Sequence, residues 1–419
     1  MSVRRNSIYL LIIISLLVGL FTGRAVFFNF AYLMGILMVL AYLWAWTAVR
    51  WVNISRKTRA RRAQVGRYLD EAFTVQNVAW IPKLWMEVRD YSELPGHRAS
   101  NVVPALLPRG RFRWYVHTPC LTRGEFRLGA LTLSAGDPFG LFMLQRRLDA
   151  TSKVTVLPLT VDLLTFHLPV GLLSGGLAQR QRTHNITTNA VGVREYVSGD
   201  SINRVHWRST ARRDQLMVKE FELDPMMDVW IFVDFSTASL YENESVRRIN
   251  GTGAVLPQGN AVTIPSSTEE YTVVIAATLA KYFIAEQRAL GFAAYTPKRT
   301  VYQAERGERQ LARIMQTLAT ARSQSDYTLA QALTLETPHL ARGITLIVIT
   351  SCVDSAWLTE AQILARKGIR PLCIFIDPSS FGSAASSDNV RGMMRLGKIP
   401  SVHVRYQDNL VSVLSQRPQ

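Results

Sequence analysis

Two apolar runs near the N-terminus constrain this chain more than any other feature. Ile8 to Thr22 is almost unbroken, and Ala25 to Val49 contains no charge. The second run is long enough to cross a hydrocarbon core of about 30 Å with some tilt. Its Tyr42, Trp44 and Trp46, with Trp51 just beyond, suit the headgroup zone. Thr22, Gly23 and Arg24 make the whole connection, which predicts a tight helical hairpin over residues 1–50. Arg50, Arg56, Lys57, Arg59, Arg61, Arg62 and Arg67 follow the second run, against one Arg in the connection. The positive-inside bias then predicts that both termini and the main domains lie on the cytoplasmic side of the inner (cytoplasmic) membrane. A competing reading takes the first run as a signal peptide. In that case the second run acts as a stop-transfer segment, and the body of the chain stays inside.

Charge follows the same division. The formal net charge is +17, but residues 1–67 hold ten Arg or Lys and no acid, leaving about +7 for the rest of the 419 residues. The basic excess therefore belongs to a membrane flank, with residues 51–68 as a basic juxtamembrane segment, and no nucleic-acid partner is expected. Cys120, Cys352 and Cys373 are odd in number and widely spaced. They fit neither a disulfide framework nor a zinc-ligand spacing and read as reduced core thiols.

Residues 69–160 read as a small all-β, sandwich-like domain. WMEVRD (85–90), RFRWYVHT (111–118), EFRLGALTL (125–133) and KVTVLP (153–158) alternate or are β-branched, with Pro and Gly turns between them. GDPFGLF (136–142) reads as an aromatic turn that pins the sheet. Residues 161–190 lack apolar periodicity and read as a linker that drapes over the next domain. From Met227 onward strand and helix alternate: 227–234, 291–296, 343–350 and 370–376 are strand candidates, and 268–290, 308–321, 328–336 and 356–368 are helix candidates. That alternation predicts a parallel sheet covered on both faces, within an α/β, Rossmann-type domain over 191–419.

Between the two lies a polar segment dense in order-forming residues, from Val191 to the apolar run that ends on Asp234. Asp200 is placed to cap a short turn. The cations and acids around His206 and Trp207 offer many ion pairs, so the segment reads as a salt-bridged, aromatic-pinned structural knot. The competing reading makes it an anion site, or makes His206 an acid/base.

The pattern Gly192, Arg194, Tyr196, Gly199, Asp200, Arg204, His206, Trp207, Thr210, Ala211, Arg212, Leu216, Val218, Lys219 and Glu220 resembles the signature of the domain of unknown function 58 family. The upstream DPFGLF segment and the paired N-terminal runs are also similar to that family. The resemblance implies that the C-terminal half is like a von Willebrand factor A domain. Such domains bind a divalent cation through Asp-x-Ser-x-Ser, a distant Thr and a distant Asp, and Mg²⁺ suits octahedral oxygen ligands. Asp234 and Ser236 match, and Thr328 and Asp354 supply the distant pair. Ala238 stands where the second Ser belongs, however, and Thr350, Ser351, Cys352 and Val353 precede Asp354. The set is expected to be degenerate as a Mg²⁺ site and to serve protein contact.

The family resemblance further implies a MoxR-type AAA+ ATPase as partner and a role in maturing a protein complex or serving the cell envelope. The chain itself has no Gly-x-x-x-x-Gly-Lys-(Ser/Thr) motif. The rival class is a metal-dependent hydrolase using Asp200, His206 and Asp234. Gly-x-Ser-x-Gly and His-Glu-x-x-His are both absent from the sequence.

Overall fold

A computed structural model describes residues 2–149, 151–168, 190–196, 205–221, 228–242 and 264–418. The chain divides into two compact units, the first built on Met1–Leu159 and the second on most of residues 160–419.

In the first unit, α1 (Ser2–Thr22) and α2 (Ala25–Val49) form the hairpin. Both are long and apolar enough to cross a membrane. Gly23 makes the turn at a φ of +65°, a conformation open to a residue without Cβ. The last turn of α2 enters the β-region, where Ala48 and Val49 join its core. Buried Lys83 donates from Nζ to the Thr47 carbonyl and so caps the negative end of the helix. Burial lowers the pKa of that ammonium.

Ten strands come next: β1 (Val52–Thr58), β2 (Arg62–Gln64), β3 (Tyr68–Asn77), β4 (Met86–Asp90), β5 (Asn101–Val103), β6 (Arg111–Pro119), β7 (Gly124–Leu128), β8 (Leu131–Gly136), β9 (Met143–Leu148) and β10 (Ser152–Leu157). They make sheets of order β1-β3-β6, β5-β4-β8-β9 and β2-β10-β7. The first two share one core, with Phe73 and Val75 from β3 facing Met86, Val88, Leu131 and Leu133. The segment 51–68, read from sequence as a basic flank, holds β1 and β2. Arg56, Lys57 and Arg62 occupy strand positions, and Arg56 reaches buried acids. EFRLGALTL is not one strand either. It breaks at Gly129, whose φ is +86°, into β7 and β8, which join different sheets.

Inside this region lies a closed polar cluster. Arg56 donates to both Glu71 carboxylate oxygens at 2.8 Å and to Asp90 Oδ1 at 3.2 Å. His97 Nε2 lies 2.8 Å from Asp90 Oδ2, and its Nδ1 lies 2.7 Å from Thr118 Oγ1. Thr58 donates to Glu71 and Ser92 to Asp90. All four ionisable side chains are buried.

The second unit contains β11 (Ala190–Glu195), α3 (Trp207–Arg213), β12 (Met217–Phe221), β13 (Val229–Val233), α4 (Thr268–Ala285), β14 (Leu290–Tyr295), β15 (Arg299–Glu305), α5 (Glu308–Thr320), α6 (Leu329–Glu336), β16 (Thr345–Thr350), α7 (Ala356–Arg366), β17 (Arg370–Ile376), α8 (Asp388–Leu396), β18 (Ser401–Val404) and α9 (Leu410–Leu414). The main sheet has the order β15-β14-β13-β16-β17-β18. Its strands are parallel except β15, which pairs antiparallel with β14. β13, β14 and β16 are buried along their whole length, as strands covered on both faces must be.

One face, carrying Trp230, Phe232, Leu346, Val348 and Phe375, packs on α6, α7 and α8. Helix α4, apolar almost all round, is buried against β13, β14, β16 and β17. Gly291 sits beside the Trp230 indole, and a Cβ there would come within 2.4 Å of the ring. The expected helix over 268–290 stops at Ala285, because Leu290 already opens β14. Of the linker, residues 161–168 are described, and they lie along α4. The Val161 amide donates to Thr278 Oγ1 at 3.1 Å, and Phe166 packs edge-on against Phe283.

Candidate functional site

The polar signature segment is built on the antiparallel β11–β12 pair, in which Val193 stands opposite Lys219 and Arg194 opposite Val218. A bulge lies between Ala190 and Gly192. The Tyr196 amide donates to the Leu216 carbonyl at 2.8 Å. His206 is the N-cap of α3: its Nδ1 accepts from the Ser209 amide at 3.2 Å and lies 2.7 Å from Ser209 Oγ. Thr210 Oγ1 accepts from the Met217 amide at 3.0 Å, tying the helix to β12. Arg212 and Arg213 fill the last turn, where cations oppose the helix dipole. Trp207, expected as the aromatic pin, is 65% exposed instead. It occupies the first helical position. Gly199, Asp200 and Arg204 lie outside the described residues, and for Gly192, Arg194 and Lys219 only the backbone is described.

A second set of residues gathers at the carboxyl edge of the main sheet, between β13 and β16. There the strand order reverses direction, and in open α/β sheets the crevice at such a point is where ligands bind. Asp234 follows β13, and its amide donates to the Ile349 carbonyl at 3.1 Å. The neighbouring strand ends at Thr350, whose Oγ1 donates to Asp234 Oδ2 at 2.6 Å. Oδ1 accepts from the Ser236 amide at 2.9 Å. Asp234 is buried and makes no ion pair among the described residues. Burial pushes its carboxyl above the usual range, against the pull of the Thr350 and Ser236 bonds.

The turn beyond it, Thr237–Ser239, is a short 3₁₀ helix held by hydroxyls. Ser239 Oγ donates to the Ser236 carbonyl at 2.8 Å. The Ser239 carbonyl accepts from Thr268 Oγ1 at 2.8 Å and from Ser351 Oγ.

Three of the four residues expected at a metal centre line one small cleft of about 40 Å³. They are Ser236, Thr328 and Asp354, together with Ala238, Cys352 and Trp357. Asp234 is not part of the lining and joins the cleft through the Ser236 amide. Ser236 Oγ and Trp357 Nε1 are buried there without a hydrogen-bond partner among the described residues.

The donors fit an octahedral Mg²⁺ poorly. Both Asp234 oxygens already accept hydrogen bonds, and Ala238 offers no side-chain oxygen. Thr328 Oγ1 is engaged in a capping box with Gln331, and Asp354 Oδ1 accepts from the Ala356 amide at 3.1 Å. Burial also holds Cys352 on this rim in the thiol form, its pKa pushed up to about 11.

Sequence reasoning missed Thr350 and Asp377. Thr350 was visible as the last residue of an apolar strand, but its partner is distant in the chain. Asp377 directly follows the apolar run RPLCIFI, the same signal that marks Asp234. It accepts from Ser379 Oγ at 2.7 Å and pairs with Arg391. Burial raises its pKa, but the Ser379 bond and the Arg391 charge outweigh that, so its carboxyl lies below the usual range. Asp377, Ser379, Ser386, Arg391 and Arg405 line an open cleft of about 540 Å³.

The model of the family described as "Protein of unknown function DUF58" matches residues 192–256. "Uncharacterized protein YeaD" of Bacillus subtilis (strain 168) is 23% identical over 203 residues, covering 46% of this chain and 50% of that protein. The match thus spans half the length of this curated relative. Among solved structures, the pilus adhesin SpaC of Lactobacillus rhamnosus GG aligns at 11% identity over 45% of this chain and 29% of its own, with a TM-score of 0.31. A FixG-related protein of Vibrio parahaemolyticus aligns at 11% identity over 26% of this chain and 98% of its own, with a TM-score of 0.18. At these scores neither likeness carries an argument about fold or function. The family match on the signature segment and the YeaD similarity both support a DUF58-family protein.

Proposed function

We propose that this chain is a membrane-anchored interaction and assembly factor. Its α1–α2 hairpin spans the cytoplasmic membrane with both termini inside, and its α/β unit is von Willebrand factor A-like. The partner in this reading is a MoxR-type AAA+ ATPase, and the process is maturation of a protein complex or a cell-envelope function.

The observation that carries the reading is the seam between β13 and β16. There a buried acid, with no cation beside it among the described residues, braces a hydroxyl-tied turn, and the neighbouring cleft carries exposed Ala238, Thr328 and Asp354. Both carboxylate oxygens are engaged in holding the turn. As a brace the acid stiffens the edge residues, which a partner can then grip at little entropic cost.

The hydrolase alternative asks Asp200, His206 and Asp234 to do chemistry. His206 Nδ1 is engaged in capping α3, and Asp234 lies behind Ser236. Both favour the assembly reading.

The test is a tagged pull-down of the full chain from gently solubilised membranes, with and without added Mg²⁺. An AAA+ ATPase is expected in both samples at similar yield. Its absence from both would sink the partner assignment. Recovery that requires added Mg²⁺ and is lost in Asp234→Ala would restore the metal-dependent reading of the edge.

A further inference from the structure

The base of the first unit carries an apolar surface that its own core does not use. Strand β3 runs from Tyr68 to Asn77, and only its Asn77 end meets the end of α2, since Asn77 pairs with Val52 of β1. Loops 78–85 and 104–110 gather at that same end. The Val78 amide donates to the Trp51 carbonyl at 2.8 Å, and Lys83 reaches the Thr47 carbonyl. Asn77 Nδ2 ties the two loops together through the carbonyls of Ile81 at 2.9 Å and Leu107 at 3.2 Å.

The loop between β8 and β9 also meets α2. Its Leu141 packs on Met38 and Ala41, and Phe142 stands edge-on to Tyr42 with ring centroids 5.5 Å apart. Two hydrogen bonds to Asp137 brace this loop, from the Phe139 amide at 2.9 Å and the Phe142 amide at 2.6 Å.

On this base Trp80 is 75% exposed, Leu107 74% and Phe139 56%, with Trp51, Ile81 and Trp85 also exposed. Single exposed apolar residues are ordinary, but a cluster of large ones at one end of a domain marks an interaction surface. Its chemistry points to one partner. Indoles mixed with arginines suit the zone between headgroups and acyl chains. Here Arg109 lies over the Trp80 ring at 4.2 Å, and Arg50 over the Trp46 ring at 4.5 Å. The patch is also continuous with α2, which leaves the β-region where these loops meet.

We propose that the β-region is itself docked on the lipid surface. Trp80, Ile81, Leu107 and Phe139 enter the headgroup–acyl boundary of the bilayer, and Arg50 and Arg109 face anionic headgroups. This rests on the reading that α1 and α2 span that bilayer. Docking fixes the whole unit against the membrane, so the anchor holds the domain at one height and tilt.

The test uses the full chain in lipid nanodiscs, with a nitroxide label on a cysteine placed by Leu107→Cys, Tyr68→Cys or Val39→Cys in separate samples. Tyr68 marks the far end of β3, about 30 Å away at the rise of an extended strand, and Val39 is an exposed position within α2. Cys120, Cys352 and Cys373 are buried. The reading compares relaxation by dissolved oxygen, which concentrates in lipid, with relaxation by a water-soluble nickel chelate.

Leu107 is expected to be several-fold less accessible to the chelate than Tyr68, and Val39 less accessible still. Equal chelate access at Leu107 and Tyr68, with Val39 shielded, would overturn the docking while leaving the spans intact. Chelate access at Val39 matching Tyr68 would overturn the spans and the docking with them.

Discussion

Two sites, one in each unit, bury carboxylates in opposite ways. Glu71 and Asp90 of the β-region are held by Arg56 and His97, with Thr58, Ser92 and Thr118 filling the remaining hydrogen-bond positions. Among the described residues, Asp234 at the sheet edge is held by a hydroxyl and an amide and by no cation. A buried charge that is paired and hydrogen-bonded is a structural device, and its cost falls on any change that removes one partner. A buried acid with no cation is costly for the fold and is more readily explained by what it positions. The first arrangement ties β1, β3 and β4 together. The second braces a turn at the crevice where the sheet order reverses.

The largest effect expected from this contrast is on folding. Arg56→Met leaves Glu71 and Asp90 without their cation and is expected to cost about 3–5 kcal/mol. Asp234→Asn keeps the shape and most hydrogen-bonding capacity and is expected to cost about 1 kcal/mol or less. Denaturant unfolding of the full chain in detergent measures both. Equal losses would erase the distinction between the two sites.

A second effect concerns acid. Burial raises the Asp90 carboxyl, but its bonds to His97 and Ser92 and the Arg56 charge outweigh this and leave its pKa below 3.8. A depressed carboxylate contributes stability that is fully present above its unfolded value and is lost as pH falls through the folded one. This contribution to the β-region is therefore expected to hold down to about pH 4 and to disappear below it. In Asp90→Asn the acid limb attributable to this group should vanish. An unchanged limb would show that other groups control acid unfolding.

A smaller loss is expected from His206→Ala, which removes the cap of α3 and should cost about 1 kcal/mol. Faster hydrogen exchange at the Ser209 and Thr210 amides, with a nearly unchanged global unfolding midpoint, would mark the effect as local. Collapse of the whole unit would assign His206 a larger structural role.

The smallest effect concerns Mg²⁺. A ligand that binds only the folded chain raises its melting temperature. The engaged donors around Asp234 predict a shift within about 1 °C on adding or chelating Mg²⁺. A clear increase that Asp234→Ala abolishes would show that the edge rearranges into a cation site.

Much of the fold was legible because its signals are local. The N-terminal hairpin comes from two uncharged runs and a glycine turn, and the main strands from continuous apolar stretches such as GITLIVIT and RPLCIFI. Strand β1 was hidden for a physical reason. Its inward positions are Val52, Ile54, Arg56 and Thr58, and an inward arginine makes sense only with Glu71 and Asp90, which come from other strands. The same limit applies to the edge site. Asp234 was visible at the end of an apolar run, but its bond to Thr350 depends on β13 and β16 lying side by side, which no local pattern reveals. In the signature segment, His206 and Thr210 stood out as residues of interest, whereas their capping and tying roles needed the backbone.

The most direct test of the edge as a protein-contact surface is a pull-down comparing the wild-type chain with Ala238→Arg. Ala238 is exposed on the rim of the cleft, so the substitution adds bulk and charge to the proposed contact without entering a core. An AAA+ ATPase is expected with the wild type and not with the folded variant. Equal recovery with both, or with neither, would contradict the assignment of that edge.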